Sequence, residues 1–134
     1  MRTRILVITL TLLGLTQCDR AVQNLGNRIP HADPKLYRNV STAEDWKNPY
    51  LIVQADGIEL VQRNARMRWV VSVDGVASAL QALPNSAWPY GLVVAVQDTG
   101  VQTREATPRI AKNREMLLEV LNKLGIAVNG WPSA

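Results

Sequence analysis

Five consecutive apolar residues, Leu92-Val93-Val94-Ala95-Val96, lie between Gly91 and the polar pair Gln97-Asp98. A run of this length that is rich in β-branched side chains is typical of a strand buried on both faces. Such a strand requires a sheet around it, so the chain must supply further strands and helices. The run therefore predicts a fold with a sheet at its centre.

A helix is predicted before this strand. Ser72 is expected to be its N-cap, because a serine oxygen can accept a free backbone N–H of the first turn. Apolar residues then recur at spacings of three and four, which places them on one helical face. They are Val73, Val76, Ala77, Leu80 and Leu83. Pro84-Asn85 is expected to end this helix.

A second helix is predicted after the strand. Thr107 is expected to be the N-cap and Pro108 the first helical residue, where the missing N–H of proline costs nothing. Gly125 is expected to terminate the helix as a C′ glycine. Its apolar stripe consists of Ile110, Leu117, Leu121 and Leu124.

The remaining strands are predicted from a hairpin and from the C-terminal part. Residues 50–55 and 58–62 form two strand candidates, and Asp56-Gly57 between them is a strong turn signal. Residues 69–71 add a few extended residues, and 126–128 form a last short strand. The chain is therefore predicted to have an α/β (α+β) fold. Two helices should cover one face of a four-stranded sheet, in the order strand, strand, helix, strand, helix, strand.

The N-terminus resembles a bacterial lipoprotein signal. Residues 1–4 are cationic, an uncharged and mostly apolar run follows to Thr16, and this run is too short to span a bilayer. Leu15-Thr16-Gln17-Cys18 resembles the lipobox, whose cysteine is acylated and becomes the mature N-terminus, although Gln17 stands where that motif usually has a small residue. Cleavage nearby and an unmodified thiol are the alternatives. The expected protein is exported to the periplasm or another extracytoplasmic membrane face, and is anchored through Cys18.

The charge balance does not favour nucleic acid as a partner. The whole chain carries 15 basic and 11 acidic residues, but removal of residues 1–17 takes away Arg2 and Arg4 and lowers the net charge from +4 to +2. A basic cluster remains at Arg63, Arg66 and Arg68. A solvated hairpin loop explains this cluster as readily as a phosphate-binding surface does.

The expected domain organisation has three parts. Residues 1–17 form the signal peptide, 18–47 a flexible tether, and 48–134 the small globular domain. The tether is predicted because its polar, proline-containing sequence has no repeating apolar face that would offset the entropy of ordering it.

The sequence offers little for catalysis. The predicted domain contains no histidine and no cysteine, so neither a nucleophile–base pair nor a metal site is evident. No catalytic, metal-binding or cofactor-binding residue is therefore assigned, and the protein is expected not to be an enzyme. The alternative is a small enzyme that uses Asp98 and residues 98–107, because an α/β sheet often binds its ligand where a strand ends.

Aromatic residues in two loops are candidate protein contacts. Trp88 and Tyr90 lie in one loop and Trp131 lies near the C-terminus. Either they close the ends of a core that has no phenylalanine, or they form an exposed contact surface, since Trp and Tyr are enriched at binding hot spots.

Four stretches resemble the periplasmic domain of the ExbD/TolR biopolymer-transport family. They are "LIVQADGIEL", "VVSVDGVASALQAL", "GLVVAVQ" and "NREMLLEVLNKLGIAV", which together cover about residues 50–128. The resemblance implies an outer domain that dimerises and contacts envelope proteins or peptidoglycan. The family's membrane helix with its aspartate has no counterpart here, so the motor role is not implied.

The expected function is that of a non-enzymatic envelope binding or assembly module, or alternatively an accessory ExbD/TolR-like component of an energised transport complex. Association is expected at a sheet edge, where unpaired backbone groups invite a partner strand. Residues 50–55 and 126–128 are the predicted edges, and a weak homodimer is one expected outcome.

Overall fold

A computed structural model describes residues 25–131. Residues 25–28 are helical and are named α1. The other helices are α2 (Pro34–Tyr37), α3 (Val76–Gln81) and α4 (Ala106–Lys123). The strands are β1 (Tyr50–Val53), β2 (Ile58–Gln62), β3 (Met67–Val71), β4 (Val93–Asp98) and β5 (Ala127–Gly130). Short 3-10 turns lie at Ala43–Asp45, Arg63–Ala65, Val73–Gly75 and Asn85–Ala87.

The described strands form one mixed sheet in the order β3-β2-β1-β4-β5. The pairs β1–β2 and β2–β3 are antiparallel, whereas β1–β4 and β4–β5 are parallel. The amino ends of β1, β4 and β5 therefore lie at the same end of the sheet, and this row of strand ends is named the amino edge. Their carboxyl ends lie at the opposite end, and this row is named the carboxyl edge.

Both long connections place their helix on the same face. The pairing pattern makes β3 parallel to β4, so β3-α3-β4 and β4-α4-β5 are both crossovers between parallel strands. Such crossovers are almost always right-handed, and two that move across the sheet in the same direction put their helices on one face. Side chains of α3 and α4 accordingly share one buried cluster with Leu51, Val53 and Leu60 of the sheet. This confirms the α+β class, and the two predicted helices lie on one face, where the short helix α1 packs with them.

Local signals account for both helices. Ser72 Oγ accepts from Gly75 N at 3.2 Å and opens the 3-10 turn that leads into α3. At the end of α4, Gly125 has φ +70°, its N–H donates to Asn122 O, and Ile126 N donates to Leu121 O. These two bonds form a Schellman motif, which satisfies carbonyls that the helix leaves free.

The helix α4 begins two residues earlier than predicted. The helix begins at Ala106 after the N-cap residue Glu105, and Thr103 Oγ1 accepts from Ala106 N at 3.1 Å. Thr107 lies inside the helix and donates its hydroxyl to Thr103 O. Pro108 is the third helical residue, where proline still lacks only an N–H that has no intrahelical partner.

The predicted count of four strands is wrong, because residues 67–71 form a full fifth strand. β3 pairs with β2 over five residues, from Ile58↔Val71 to Gln62↔Met67. Of the two predicted edges, 50–55 is also wrong, since β1 lies between β2 and β4. The edge strands of the described sheet, which have a neighbouring strand on one side only, are β3 and β5.

The expected tether is wrong for its described part, residues 25–47. Leu25 and Ile29 are buried in the cluster under α3 and α4. Trp46 is buried on the opposite face of the sheet with Tyr50, Val93 and other side chains. Residues 31–49, together with Tyr90 and Trp131, therefore form a second covering layer, named the segment layer; α1, α3 and α4 form the helix layer.

The chain passes between the two layers at the amino edge. His31 forms a parallel bridge with Leu92, and Leu92 N donates to Pro30 O at 2.9 Å. This close approach requires Gly91, which has φ +82°; a Cβ there would lie 2.4 Å from His31 O. The absence of a side chain at residue 91 thus allows β4 to be covered on both faces.

Asn48 fixes the end of the segment layer to the sheet. Its Nδ2 donates to Gly91 O and Val93 O, both at 2.8 Å, and its Oδ1 accepts from Tyr90 N at 2.9 Å. Asn48 is fully buried. A buried amide is stable here because three of its hydrogen-bonding positions are occupied by backbone groups.

Candidate functional site

The carboxyl edge gathers polar side chains from several elements. Asn113 of α4 donates to Gln54 O at 2.8 Å and to Ala55 O at 3.1 Å, which docks the helix on the β1–β2 turn. Arg109 Nη2 lies 2.6 Å from Asp56 Oδ1. This is the edge at which sheets with parallel strands commonly bind ligands, because loops and helix beginnings meet there.

A cleft of about 280 Å³ opens at this edge beside the last two strands, and is named the β4–β5 cleft. Its walls come from β4, α4, β5 and the residue that follows β5. The side chains that line it include Val96, Asp98, Arg114, Leu118, Val128 and Trp131. Leu118 and Val128 are exposed, so the cleft has an apolar wall open to solvent.

An ion pair closes one end of the cleft. Arg114 Nη1 of α4 contacts Asp98 Oδ2 at the end of β4. The Asp98 side chain is 17% exposed and that of Arg114 is 43% exposed. The guanidinium therefore fixes the carboxylate and keeps further N–H donors at the surface, where they can bind a carboxylate or a carbonyl oxygen.

Gln97 is fixed by Tyr50, which packs on the sheet face that the segment layer covers. The Tyr50 hydroxyl donates to Gln97 Oε1. Burial raises the pKa of Tyr50, and the positive charge of Arg63 offsets part of that rise. The phenol therefore remains a neutral donor to Gln97.

Trp131 connects the cleft to the segment layer. Its ring meets Trp46 edge-on, with centroids 6.1 Å apart and an interplanar angle of 83°. Its Nε1 is buried and has no hydrogen-bond partner among the described residues. The candidate contact residue Trp131 thus lines a cleft, but packing also fixes it.

The other two candidate contact residues are buried, so the expectation that they form an exposed surface is wrong. Trp88 is 3% exposed and packs in the helix-layer core, whereas Tyr90 is 7% exposed and packs against Trp46 at 5.0 Å. The alternative interpretation, that these aromatics close a core without phenylalanine, agrees with their positions.

The edge strand β5 is the part of this site that carries free backbone groups. Ala127 N donates to Leu92 O and Trp131 N to Val96 O, so residues 127, 129 and 131 direct their backbone groups towards β4. Because alternate residues of a strand point their N–H and C=O to opposite sides, Val128 and Gly130 direct theirs outwards. The Val128 side chain lines the cleft, so this edge and the cleft adjoin.

A second cleft, at the amino edge, was missed by sequence reasoning. It has a volume of about 180 Å³ and lies between Met67 on β3 and Leu83-Pro84 after α3. Gln62 lines it, is 2% exposed, and its Oε1 has no hydrogen-bond partner among the described residues. Buried polar atoms usually have a hydrogen-bond partner, so this oxygen is an exception. A glutamine at the end of a strand gives no sequence signal for a cleft or for an unpaired buried oxygen.

Other candidates give no further site. Cys18 and the signal peptide lie outside the described residues. Within residues 25–131, no group of three or more His, Cys, Asp and Glu side chains is placed to hold a metal ion. In the same range, no helix combines the length and the apolar character needed to cross a membrane.

Comparison with known proteins identifies no relative. No protein-family model, no curated protein and no solved structure matches this chain.

Proposed function

We propose that the protein is a non-enzymatic module of the bacterial envelope that captures an extended segment of a partner protein along β5. It is exported, acylated at Cys18 and anchored to a membrane. The observation that carries the binding role is the free edge of β5, whose outward backbone groups lie beside the β4–β5 cleft.

This arrangement suits addition of a strand from a partner. Backbone groups of Val128 and Gly130 can bond to the added strand, which gives affinity, and the adjoining cleft can receive one of its side chains, which gives selectivity. The exposed Leu118 and Val128 favour an apolar side chain there. Arg114 at the end of the cleft favours a partner that presents a carboxylate or a carbonyl oxygen.

The enzyme alternative has less support. Asp98 is paired with Arg114, and an arginine does not release a proton at ordinary pH, so this pair is not a general acid–base couple. An accessory role in an ExbD/TolR-like transport complex stays a second hypothesis, which would make the partner a subunit of that complex.

Photo-crosslinking in a bacterial host tests the binding role. A benzophenone amino acid replaces Val128 in the full chain, and the control replaces Val101, an exposed valine in the loop before α4. We expect a defined crosslinked product from position 128 and none from 101. A product with twice the mass of the chain would identify a homodimer, and one of another mass a different partner. No product at 128, or equal products at both positions, would contradict the proposal.

Incorporation of labelled fatty acid tests the anchor. We expect label in the wild type and none in Cys18→Ser. Equal label in both proteins, or a mature N-terminus at another residue, would refute acylation at Cys18.

A further inference from the structure

The first described residues, which form α1, pack at the amino edge. Leu25 in α1 is fully buried. Arg28 Nη1 donates to Asn85 Oδ1 at 2.8 Å and its Nη2 to Gln81 O at 3.0 Å, which fixes α1 beside the end of α3. Any chain that precedes residue 25 therefore starts from this end of the molecule.

With the proposed acylation of Cys18, the chain between the membrane anchor and the first described residue is short. Seven residue steps separate Cys18 from Leu25, and a fully extended chain covers at most about 25 Å over that distance. A tether that ran to residue 47 would reach roughly 100 Å. Because residues 25–47 are packed on the sheet, the domain stays within about its own diameter of the bilayer.

The surface at this edge is basic. Arg63 and Arg66 lie in the turn between β2 and β3, and both are exposed. Asn64 Nδ2 donates to Lys47 O at 3.4 Å, which brings exposed Lys47 to the same turn. The ion pairs found among residues 25–131 use other arginines, and the exposed carboxylates Glu44 and Asp45 precede Lys47 without pairing with it.

The backbone does not explain an arginine at position 66. Arg66 has φ +52° and is the one non-glycine residue with positive φ in the described part of the chain. Glycine or asparagine adopts this conformation with less strain. The local backbone thus gives no reason for an arginine at the tip of this turn.

An apolar side chain accompanies these cations. Met67 follows directly, is 49% exposed, and lies at the rim of the amino-edge cleft. Cationic side chains beside an exposed, flexible apolar one are the combination that binds the headgroup and upper acyl region of a membrane.

We infer that the amino edge is a lipid-binding surface, in which Lys47, Arg63 and Arg66 bind anionic headgroups and Met67 contacts the acyl boundary. The inference rests on the proposed function for its orientation: the anchor enters at this edge. The β4–β5 cleft, at the opposite edge, then faces away from the bilayer and towards a partner.

Vesicle binding of the non-acylated protein tests this surface separately from the anchor. The proposed mature chain, residues 18–134 with Cys18→Ser, is sedimented with phosphatidylethanolamine–phosphatidylglycerol vesicles and with phosphatidylcholine vesicles. We expect binding to the anionic vesicles alone, and its loss at 0.5 M salt. Each basic residue near such a surface contributes about a fivefold factor, so Arg63→Gln with Arg66→Asn should lower the partition coefficient about 25-fold.

The control removes the same charge elsewhere. Arg104→Gln with Lys112→Gln, both exposed and distant from the amino edge, should change the partition coefficient by less than about twofold. Asparagine suits the positive φ of residue 66, so thermal unfolding should show the Arg63/Arg66 variant folded. Absent binding, or equal losses in the two double variants, would overturn the inference.

The two proposals fail in distinguishable ways. Unlabelled Cys18 with intact vesicle binding would remove the anchor and keep the surface. Labelled Cys18 with no difference between the double variants would keep the anchor and remove the surface.

Discussion

The helix layer and the segment layer cover opposite faces of the same sheet, but only the helix layer has a repeating apolar pattern. Val76, Leu80, Leu117 and Leu121 recur at helical spacing and are all fully buried. The segment layer buries Trp46 through a T-shaped contact with Tyr37 at 5.5 Å and a tilted contact with Tyr90 at 5.0 Å. A few large aromatic side chains on irregular backbone thus cover one face of the sheet, whereas many aliphatic side chains on helices cover the other.

The two layers also differ in how they satisfy backbone groups. Helices satisfy their own, whereas irregular chain must find other partners. In the segment layer, Asn48 binds three backbone groups and Trp46 Nε1 donates to Pro49 O at 3.2 Å. The layer therefore depends on individual residues, and single substitutions there should have large effects.

Deletion of residues 1–47 should have the largest effect. It removes Leu25 and Ile29 from one face and Trp46 from the other, so residues 48–134 should not unfold cooperatively. Circular dichroism during heating, together with limited proteolysis, measures this. Deletion of residues 1–24 is the control and should leave a cooperative transition. A compact, cooperatively unfolding fragment 48–134 would mean that the segment layer is an accessory cover.

Trp46→Ala should lower the free energy of unfolding by about 3–5 kcal/mol, because it empties the centre of the aromatic cluster. Leu80→Ala, at an equally buried position of the helix layer, should cost about 2–5 kcal/mol. Denaturant titration compares the two variants, and hydrogen exchange locates the change. Loss of protection confined to residues 31–49 in Trp46→Ala would show that the segment layer opens independently of the sheet.

Asn48→Ala should cost about 3 kcal/mol, because it leaves Gly91 O, Val93 O and Tyr90 N without their side-chain partner in a buried position. Asn122→Ala, on the exposed surface of α4, is the matched control and should be neutral or slightly stabilising. Both are measured by thermal unfolding. Similar midpoints for the two variants would show that water replaces the Asn48 bonds.

Tyr50→Phe should have the smallest effect, about 1 kcal/mol at neutral pH, through the lost hydrogen bond to Gln97. Because burial raises the pKa of Tyr50 above its ordinary value of 10.0, the folded wild type keeps the phenol proton to a higher pH than the unfolded chain does. Wild-type stability should therefore fall as pH rises above 10, and its advantage over Tyr50→Phe should narrow. A constant difference from pH 8 to 11 would contradict this sign.

Part of the candidate site could be predicted from the sequence. Asp98 was expected at a strand end, and its position at the mouth of a cleft agrees with the general rule for such sheets. Its pairing with Arg114 was not predicted, because contact between residues 98 and 114 depends on how α4 crosses the sheet. Trp88 and Tyr90 show the opposite case: the sequence left open whether they close the core or form a contact surface, and in the structure they supply bulk to a core without phenylalanine.

The sequence by itself determined the elements whose stability is local. The period of apolar residues defined α3 and α4. Ser72 set the start of the 3-10 turn before α3, Gly125 set the end of α4, and Asp56-Gly57 set the hairpin, because these signals act within a few residues. Only the tertiary structure decided the segment layer, the central position of β1 and the pairing of β3. Each depends on contacts between residues far apart in sequence, such as Asn48 with Val93 or Tyr50 with Ala95, and no local pattern encodes these.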